Sequence, residues 1–550
     1  MKLHAALARA LAGHDVQTMF GLIGDANMFL THSFVHSERR AYVGAAHEAG
    51  AMFMGFGYAS LTGQLGVVTV THGPALTNTV TGLVEAARAR LPLLLIAGDT
   101  ATRSRTNIQD IAQRDVVLPT GAGFEQARTP DTALEDLAVA IRRAVVEQRP
   151  IVFNLPADFG RQEVEYQAIP LGLPVDQRLR PDPTAVRYAA RRIVSADRPV
   201  VLAGRAAIPA RRAVLRLADR IGAPVATTLK ARDLFRGEPF DLGIAGGLAA
   251  PVSAEVLAAS DLVISFGAGL NDYTTSKGAL LSDRGVIAVA SGPQPGSGTF
   301  DAIVSGDPEL VADALVDALD SLATRAGGCR PSAGLPRPAA GGVRDENLAR
   351  RLSEQYVIAP RPATAPGTVD AAFVLRRLDE LLPAKRVVVS DGGRFMMESL
   401  RHIQVPDPQS FIFPENFGSI GTGMGAAIGA AAARRPRPVV LVCGDGGFMH
   451  GGVGEFNTAV RLGLDVIVVV CNDGGYGAEH VQFTDRGLDP SLSLFDWPDL
   501  VAVAEALGGD GVTVRHLDDL PLVAKAIDTR NRPLLIDLRL DVNHMTPMPH

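Results

Sequence analysis

The chain has 550 residues, which at roughly 100–200 residues per domain predicts three or four domains rather than one core. Hydrophobic residues make up 47% of the chain and charged residues 20%, a composition that excludes an intrinsically disordered protein. The net charge of -6 argues against a nucleic-acid-binding protein, which would normally carry a basic surplus.

The first residues predict no signal peptide, because they contain neither a long apolar core nor a small-residue cleavage site. Three cysteines exclude a disulfide scaffold and favour a reducing compartment; they are Cys329, Cys443 and Cys471. The most apolar stretch, at 421–433, is too short and too rich in Gly and Ala to predict a membrane span. We therefore expect a cytoplasmic protein without a membrane partner.

Short apolar runs alternate along the chain with Ala- and Arg-rich stretches of helical character, such as 133–147 and 209–221. Continuous apolar runs bounded by Gly or Asp are typical of strands that are buried on both faces of a parallel sheet. The predicted strands are 65–71, 91–97, 199–203, 262–266, 386–390, 438–443, 466–471 and 533–540. This alternation predicts an α/β fold of doubly wound parallel sheets, with ligands at the carboxyl ends of the strands.

Two breaks in composition predict the domain boundaries. One is the Pro-rich and charged segment 169–182, and the other is the Gly-, Pro- and Ala-rich segment 326–343. They predict three domains and one linker, with the boundaries 1–170, 182–325, 326–359 (linker) and 360–540.

A glycine-rich turn with one acidic residue follows the predicted strand 438–443. Its residues are Gly444, Asp445, Gly446 and Gly447. Such a turn lets backbone N–H groups approach an anion, and the aspartate supplies a hard oxygen ligand for a divalent cation. The next predicted strand ends at a second polar turn, 472–477, so two neighbouring strand ends would each offer an oxygen to one Mg²⁺.

These two turns resemble the fingerprint of thiamine-diphosphate-dependent enzymes. Further segments resemble, in order, those of the acetolactate synthase, pyruvate decarboxylase and benzaldehyde lyase superfamily: FGLIGDAN at 20–27, HEAGAMFMGFGYASLTG at 47–63, THGPALTN at 71–78 and GSIG at 418–421. The resemblance covers nearly the whole chain. It implies a pyrimidine-binding domain, a central Rossmann-like domain and a diphosphate-binding domain, in that order.

The resemblance also implies the residues that would hold the cofactor. Glu48 would hydrogen-bond the aminopyrimidine ring, and it opens an apolar stretch in which a carboxyl group can share a proton. Gly418 would offer its carbonyl group to the aminopyrimidine, and Ile420 would be the bulky residue that bends the cofactor. Gly393 and Arg394 match a turn that touches the diphosphate.

The metal ligands follow from the resemblance by counting back from Tyr476. The family's side-chain ligand then falls on Asp473 and its carbonyl ligand on Gly475, with Asp445 as the other carboxylate. Asn472 is the alternative to Asp473.

The spacing between the two aspartates differs from the family's. Asp473 lies 28 residues after Asp445 (473 minus 445), which is one residue more than the resemblance implies. We attribute the extra residue to the segment 450–455.

The substrate side has four candidate catalytic residues. Asp25 and Glu479 match two acids of pyruvate-decarboxylase-like members, and paired acids favour protonation to an aldehyde. The double histidine of those decarboxylases is absent around 110–115, where Gln113 instead resembles the active-site glutamine of benzaldehyde-lyase-like carboligases. His72 replaces the family's usual serine and could donate a proton.

Together these features predict a thiamine-diphosphate- and Mg²⁺-dependent enzyme that acts as a decarboxylase or carboligase on a 2-oxo acid. The alternatives are acyl transfer like that of acetolactate synthase, hydrolysis of a 1,2-diketone, or a scaffold subunit that has lost catalysis; the presence of Glu48 argues against the last.

The resemblance implies a homodimer or a dimer of dimers, in which the Glu48 domain of one chain faces the diphosphate-binding domain of its partner. FAD is not favoured, because Gly204 and the isolated Gly267-Ala268-Gly269 turn do not complete a dinucleotide fingerprint.

Overall fold

The computed structural model describes residues 1–174, 177–282, 284–292, 300–326, 343–357, 359, 365–433 and 437–544. Cys329, most of the segment 326–343 and residues 545–550 lie outside the described residues. Within the ranges that the structure describes, no helix is both long enough and apolar enough to cross a membrane.

The first sheet is built from the N-terminal part of the chain. Its strands are β1 (Thr18–Gly21), β2 (Ala41–Gly44), β3 (Gly66–Val70), β4 (Leu93–Asp99), β5 (Gly123–Gln126) and β6 (Ile151–Pro156). Its helices are α1 (Leu3–Gly13), α2 (Met28–His36), α3 (Glu48–Thr62), α4 (Pro74–Thr77), α5 (Val80–Ala89), α6 (Gln113–Val117) and α7 (Ala133–Glu147), with a 3₁₀ turn at Leu118–Thr120. The strand order is β2-β1-β3-β4-β6-β5 and every pair is parallel.

The second sheet repeats this architecture in the middle of the chain. Its strands are β7 (Pro199–Ala203), β8 (Val225–Thr227), β9 (Asp241–Ile244), β10 (Leu262–Phe266), β11 (Gly285–Ala290) and β12 (Ala302–Ser305). Its helices are α8 (Pro183–Val194), α9 (Arg211–Ile221), α10 (Pro251–Ala258), α11 (Asp272–Thr275), α12 (Pro308–Ala326) and α13 (Glu346–Glu354), with 3₁₀ turns at Arg205–Ala210, Leu229–Ala231 and Gly246–Leu248. The order is β12-β11-β10-β7-β8-β9, again parallel throughout.

The third sheet comes from the C-terminal part. Its strands are β13 (Val387–Ser390), β14 (Phe411–Ile412), β15 (Val439–Gly444), β16 (Val466–Asn472), β17 (Asp510–Val514) and β18 (Leu534–Arg539). Its helices are α14 (Ala371–Leu381), α15 (Met396–His402), α16 (Gly423–Ala432), α17 (Asp445–Gly447), α18 (Val453–Arg461), α19 (Gly477–Asp485), α20 (Leu500–Ala506) and α21 (Leu520–Thr529), with 3₁₀ turns at Pro408–Ser410, Pro490–Ser493, Leu517–Asp519 and Val542–His544. The order is β14-β13-β15-β16-β18-β17, with parallel pairs.

Three parallel six-stranded sheets with intervening helices confirm the predicted α/β class. β3 and β7 are buried at every residue, as the predicted apolar runs 65–71 and 199–203 indicate. Each sheet has a point in its interior at which the strand order reverses: between β1 and β3, between β7 and β10, and between β13 and β15. Because ligands of open parallel sheets bind at such reversals, outside the carboxyl ends of the strands, these turns are where a site is expected.

The chain forms two compact units. The first contains Met1–Pro174, Pro360–Ile403 and Gln409–Met548, and therefore includes the first and third sheets. The second contains the described residues of the range 177–359 together with Gln404–Pro408, and therefore the second sheet. Each sheet lies within one of the predicted domain ranges.

The range predicted as a linker, 326–359, contains the helix α13. Leu348 and Leu352 of this helix are buried and join a hydrophobic core of the second unit. Their spacing of one helical turn places both on one face, so this part of the predicted linker packs as a helix.

The helices α3 and α16 cross closely inside the first unit, where a single hydrophobic core runs through both sheets. A methyl group at Gly57 would overlap the carbonyl oxygen of Ala426, and one at Gly429 would overlap that of Met54. Glycine at these positions therefore permits backbone-to-backbone contact between the two helices. These two glycines therefore serve helix packing rather than turns.

Candidate active site

The strand order of the first sheet reverses between β1 and β3, and the turns after these two strands bring Asp25 and His72 together. Thr71 Oγ1 donates a hydrogen bond of 2.9 Å to Asp25 Oδ1, and His72 Nδ1 lies 3.9 Å from the same oxygen. His72 is 2% exposed, whereas the Asp25 side chain is 73% exposed. His72 Nε2 is buried without a hydrogen-bond partner among the described residues. A buried ring nitrogen without a partner is the kind of group that binds a ligand or an ordered water.

Gln113 supports the turn next to His72. Its Oε1 accepts a hydrogen bond of 2.8 Å from Gly73 N, and its Nε2 donates to Gly98 O at 2.9 Å and to Asn154 Oδ1 at 2.5 Å. The side chain is buried. As placed, Gln113 fixes the Gly73 turn against β4, and its predicted catalytic role stays a prediction.

Glu48 is the first residue of α3 and is almost fully buried. Its Oε2 accepts a hydrogen bond of 3.0 Å from Asn78 Nδ2 and lies 3.9 Å from His47 Nε2. Asn78 is the last residue of the THGPALTN segment, so the fold brings two of the family-like motifs into direct contact. The sequence analysis assigned no role to Asn78.

Glu455 of α18 holds the backbone immediately before Glu48. Its carboxylate accepts hydrogen bonds from Ala46 N at 3.0 Å and from His47 N at 3.2 Å, and it is buried. Burial raises the pKa of Glu455, and the backbone hydrogen bond from Ala46 offsets part of that shift. The chain thus fixes the start of α3 with a residue that is about 400 positions away in sequence.

Asp391 follows β13, at the point where the strand order of the third sheet reverses. This buried carboxylate accepts from Gly421 N at 3.0 Å, from Thr422 Oγ1 at 3.1 Å and from Gly392 N at 2.9 Å. Burial raises the pKa of Asp391. Asp391 therefore fixes the segment that ends at Gly421 to the turn after β13.

The residues predicted to touch the cofactor lie in the segment 418–421 and in the turn after β13, and they differ in exposure to solvent. Gly418 has a φ of 82°, a conformation that favours glycine, and it is exposed, whereas Ile420 is half-buried. Gly393 adopts a φ of 143° in the turn after β13. Arg394 is buried, and its Nη1 donates to Val542 O at 2.6 Å, so its guanidinium group holds the C-terminal 3₁₀ turn. A contact between Arg394 and a diphosphate stays a prediction.

The two aspartates predicted to bind the metal face each other at the ends of β15 and β16. These strands are paired, with Gly444 opposite Cys471. Burial raises the pKa of both Asp445 and Asp473, and the charge of Asp445 raises that of Asp473 further. A buried Asp445 carboxylate beside a half-buried Asp473 carboxylate is an arrangement that a divalent cation would stabilise, so the residues present fit Mg²⁺.

The turn after β16 offers both Asp473 and Asn472 as candidates for the second ligand. Asn472 Nδ2 donates a hydrogen bond of 2.8 Å to Asp537 Oδ1 on β18, while Asn472 Oδ1 is buried without a hydrogen-bond partner among the described residues. The choice of Asp473 over Asn472 therefore stays a prediction. The Gly475 amide lowers the pKa of both Asp445 and Asp473. No group of three or more Asp, Glu, His or Cys side chains suited to a metal occurs in the described part of the chain. The remaining ligands of Mg²⁺ would therefore be carbonyl, water and phosphate oxygens.

A π turn, Phe448–Gly452, lies between α17 and α18 on the segment that joins the two aspartates. A π turn accepts one additional residue without ending the helix, and such turns are frequent at functional sites. It overlaps the segment 450–455, and the placement of the extra residue in that segment stays a prediction. The turn packs Gly451 and the His450 ring against Gly421.

The rest of the predicted site lies around α19. Tyr476 precedes this helix, and its ring contacts Gly446 of the first metal turn. Glu479 is exposed in the first turn of α19. No hydrogen bond between Glu479 and Asp25 occurs within the described residues, so one chain does not pair the two predicted acids.

Glu85 on α5 connects the two halves of the first unit. Its carboxylate accepts hydrogen bonds from Asn416 Nδ2 at 2.5 Å and from Phe417 N at 2.7 Å, directly before Gly418. The guanidinium carbon of Arg88 lies 4.7 Å from the centroid of the Phe417 ring. The sequence contained no signal for this contact, because the partners are more than 300 residues apart.

Glu415 is the most strongly perturbed carboxyl group beside this contact. Burial, followed by the charges of Asp391 and Glu85, raises the pKa of Glu415 to about 8. Its Oε1 is buried without a hydrogen-bond partner among the described residues. The folded protein therefore keeps a proton here over a pH range in which the unfolded chain, with an ordinary glutamate pKa near 4.5, has lost it.

We expect Glu415→Gln to stabilise the cofactor-free protein at alkaline pH. Because the pKa of Glu415 is raised in the folded state, wild-type stability falls as the pH rises from about 4.5 to about 8. The variant lacks this loss, so its melting temperature should exceed that of the wild type at pH ~8.5 by the equivalent of roughly 2–4 kcal/mol and match it at pH ~5. Glu505→Gln, at an exposed position of α20, is the control. An equal melting temperature for Glu415→Gln and wild type at both pH values would contradict the assignment.

Comparisons with known protein families match three parts of the chain. The thiamine pyrophosphate enzyme N-terminal TPP binding domain matches residues 1–118, the central domain of the same enzymes matches 186–315, and their C-terminal TPP binding domain matches 391–538. The first and last matches contain the turns after β1, β3, β13, β15 and β16 that are described above.

Curated relatives are similar over nearly their whole length. The sulfoacetaldehyde acetyltransferase of Alcaligenes xylosoxydans xylosoxydans is 28% identical, over 95% of this chain and 90% of the relative. The probable 2-ketoarginine decarboxylase of Pseudomonas aeruginosa is 28% identical, over 97% and 93%. The probable acetolactate synthase large subunit of Methanocaldococcus jannaschii is 25% identical, over 100% and 93%.

Among solved structures, benzoylformate decarboxylase from Polynucleobacter necessarius has the same fold. The TM-score is 0.80 at 19% sequence identity, over 99% of each chain. The order of the three matched domains, together with this fold and these relatives, leads to one conclusion: the chain belongs to the family of thiamine-diphosphate-dependent enzymes.

Proposed function

We propose that this protein is a thiamine-diphosphate- and Mg²⁺-dependent enzyme that cleaves the bond beside the carbonyl group of a 2-oxo acid and releases an aldehyde or an acyloin. The observation that carries the proposal is the buried Glu48 carboxyl group, held at the start of α3 by Asn78. A scaffold subunit that only bound the cofactor would have no use for a carboxyl group at this position. The names of the relatives, which include decarboxylases, a synthase and an acetyltransferase, support an activity of this general kind.

When bound, thiamine diphosphate supplies a nucleophilic carbon that attacks a carbonyl group, and an electron sink for the pair released when the neighbouring C–C bond breaks. Asp445 and Asp473 would hold Mg²⁺, and the glycine turn 444–447 would offer amide groups to the diphosphate. Glu48 would accept and return a proton at the pyrimidine ring. Asp391 fixes the position of Gly421 and so supports the Gly418–Ile420 segment, which would contact that ring.

Release of an aldehyde needs a proton donor on the substrate side. His72 and Asp25 lie close enough for one to orient the other, and His72 Nε2 has no partner within the described residues. We assign proton donation to this pair, which favours an aldehyde product over acyl transfer to a second substrate. The homodimer or dimer of dimers, the absence of FAD and the cytoplasmic location stay predictions.

The test is a panel of substrates with product analysis. The purified chain with thiamine diphosphate and Mg²⁺ is given pyruvate, aromatic 2-oxo acids and cyclic 1,2-diketones, each with and without phosphate or a second carbonyl compound. We expect CO₂ together with an aldehyde or an acyloin from at least one 2-oxo acid. An acyl phosphate would indicate acyl transfer instead, and a ring-opened acid without CO₂ would indicate diketone hydrolysis. Cofactor binding without turnover of any compound would favour the scaffold.

A further inference from the structure

One short segment, Ser493–Trp497, touches both of the turns that carry the proposed metal ligands; we call it the clamp. Its backbone is fixed to the turn after β16. Tyr476 N donates to Ser493 O at 2.9 Å, Phe495 N donates to Gly474 O at 2.8 Å, and Leu494 forms a β-bridge with Gly475. A methyl group at Gly475 would overlap the Ser493 carbonyl oxygen, so the clamp lies directly against this turn.

The side chain at the end of the clamp reaches the other turn. Trp497 Nε1 donates a hydrogen bond of 2.7 Å to Asp445 Oδ2. The indole ring stacks on Phe495, with 4.7 Å between centroids and an interplanar angle of 20°. Phe495 in turn meets the Tyr476 ring edge-on at 4.9 Å. The orientation of the indole N–H is thus set by a row of three aromatic rings that begins at the turn after β16.

We propose that Trp497 is a positioning residue for Asp445: it occupies one carboxylate oxygen and leaves the other directed toward the cation. This inference rests on the proposed Mg²⁺ site. A ligating carboxylate is usually fixed by a hydrogen bond to its second oxygen, and loss of such a bond typically costs 10–100-fold in metal affinity. A donor on Oδ2 also offsets part of the repulsion between Asp445 and Asp473 while no cation is bound.

The clamp also links the two ligand turns, in addition to the pairing of β15 with β16. Its backbone is hydrogen-bonded to the turn that carries Asp473, and its indole donates to Asp445 on the other turn. Two ligands from separate strands must keep their separation for Mg²⁺, which demands near-ideal octahedral geometry. The clamp supplies a link between them that does not depend on the metal.

Trp497 is the only tryptophan in the chain, which makes it a specific optical probe. In the full-length protein with thiamine diphosphate, we expect titration with Mg²⁺ to change the Trp497 emission saturably. The Asp445→Ala variant, which removes the ligand, should require far more Mg²⁺ for the same change. Constant emission in the wild type at metal saturation would contradict a contact between Trp497 and a metal ligand.

Metal affinity itself is measured with Mn²⁺, whose free concentration is read by electron paramagnetic resonance in the presence of thiamine diphosphate. We expect Trp497→Phe, which keeps an aromatic ring but removes the N–H donor, to raise the Mn²⁺ dissociation constant about 10-fold or more. Phe495→Leu, which keeps the donor but removes the stacking partner, should raise it by a smaller factor. Leu492→Ala, at a position that is 81% exposed just before the clamp, should leave it unchanged.

The outcomes separate this inference from the proposed function. Unchanged affinity in Trp497→Phe combined with weak binding in Asp445→Ala would overturn the role of Trp497 and leave the metal site in place. Unchanged affinity in both variants would overturn the metal site itself. If Trp497→Phe does not fold, as judged by circular dichroism, Phe495→Leu and the wild-type emission still decide the question.

Discussion

Glu48→Gln is expected to lower kcat by about 10²–10⁴-fold, the range found when a general acid–base group is removed. The amide cannot exchange a proton with the pyrimidine ring as a carboxyl group does. The substitution leaves the shape of the side chain almost unchanged, and Asn78 Nδ2 can still donate to the remaining oxygen. The loss should therefore appear in the chemical step and not in folding or cofactor binding.

Three measurements test this expectation. Steady-state turnover gives kcat, calorimetric titration gives the dissociation constant of thiamine diphosphate, and hydrogen–deuterium exchange followed by NMR gives the rate of proton loss from the cofactor. Glu135→Gln is the matched control, because Glu135 is an exposed first-turn glutamate on α7 of the same sheet. A wild-type rate of turnover in Glu48→Gln would contradict the assignment of Glu48 as the proton-transferring group.

The start of α3 should stay intact in the Glu48→Gln variant for a structural reason. The amides before Glu48 are bound by Glu455 and not by the Glu48 side chain. Glu48 is therefore free for chemistry, while a different carboxylate stabilises the helix terminus. We expect the melting temperatures of Glu48→Gln and wild type to agree closely.

Asp445→Ala is expected to abolish turnover and to leave the purified protein without thiamine diphosphate. The cation would join the diphosphate to the chain, so loss of a ligand removes the main electrostatic contribution to cofactor binding. Treatment of the wild type with a chelator should have the same effect, reversed by added Mg²⁺. Cofactor content is measured after gel filtration, and full retention of an active cofactor without metal would exclude this site.

Substitutions of Asp473 test the second proposed metal ligand. In Asp473→Asn an amide oxygen is still a hard ligand, so we expect cofactor binding within about tenfold of wild type, whereas Asp473→Ala should behave like Asp445→Ala. Removing one of two neighbouring carboxyl groups, each with a raised pKa, should also raise the melting temperature of the metal-free protein. If Asp473→Ala binds the cofactor as tightly as wild type, Asn472 or another group must be the second ligand.

Local sequence determined the sheets of this protein. The strands β7 and β10 coincide with the predicted ranges 199–203 and 262–266, and α7 coincides with 133–147. Runs of apolar residues bounded by glycine specify a strand buried on both faces, and a half-buried helix carries its own periodicity, so neither depends on distant partners. The positions of Asp445 and Asp473 at adjacent strand ends followed from the same reasoning.

The contacts that shape the site were decided by the tertiary structure alone. The hydrogen bonds from Asn78 to Glu48, from Trp497 to Asp445 and from the Ala46 amide to Glu455 join segments that are 30, 52 and 409 residues apart. Such pairs leave no periodicity in a single sequence, because each partner is compatible with many local structures. The orientation of Asn472 toward Asp537 is likewise set by a neighbouring strand. The sequence therefore indicated which turns would carry the chemistry. Packing between distant segments decided which side chains face the site, because only the fold sets the distances between residues far apart in the chain.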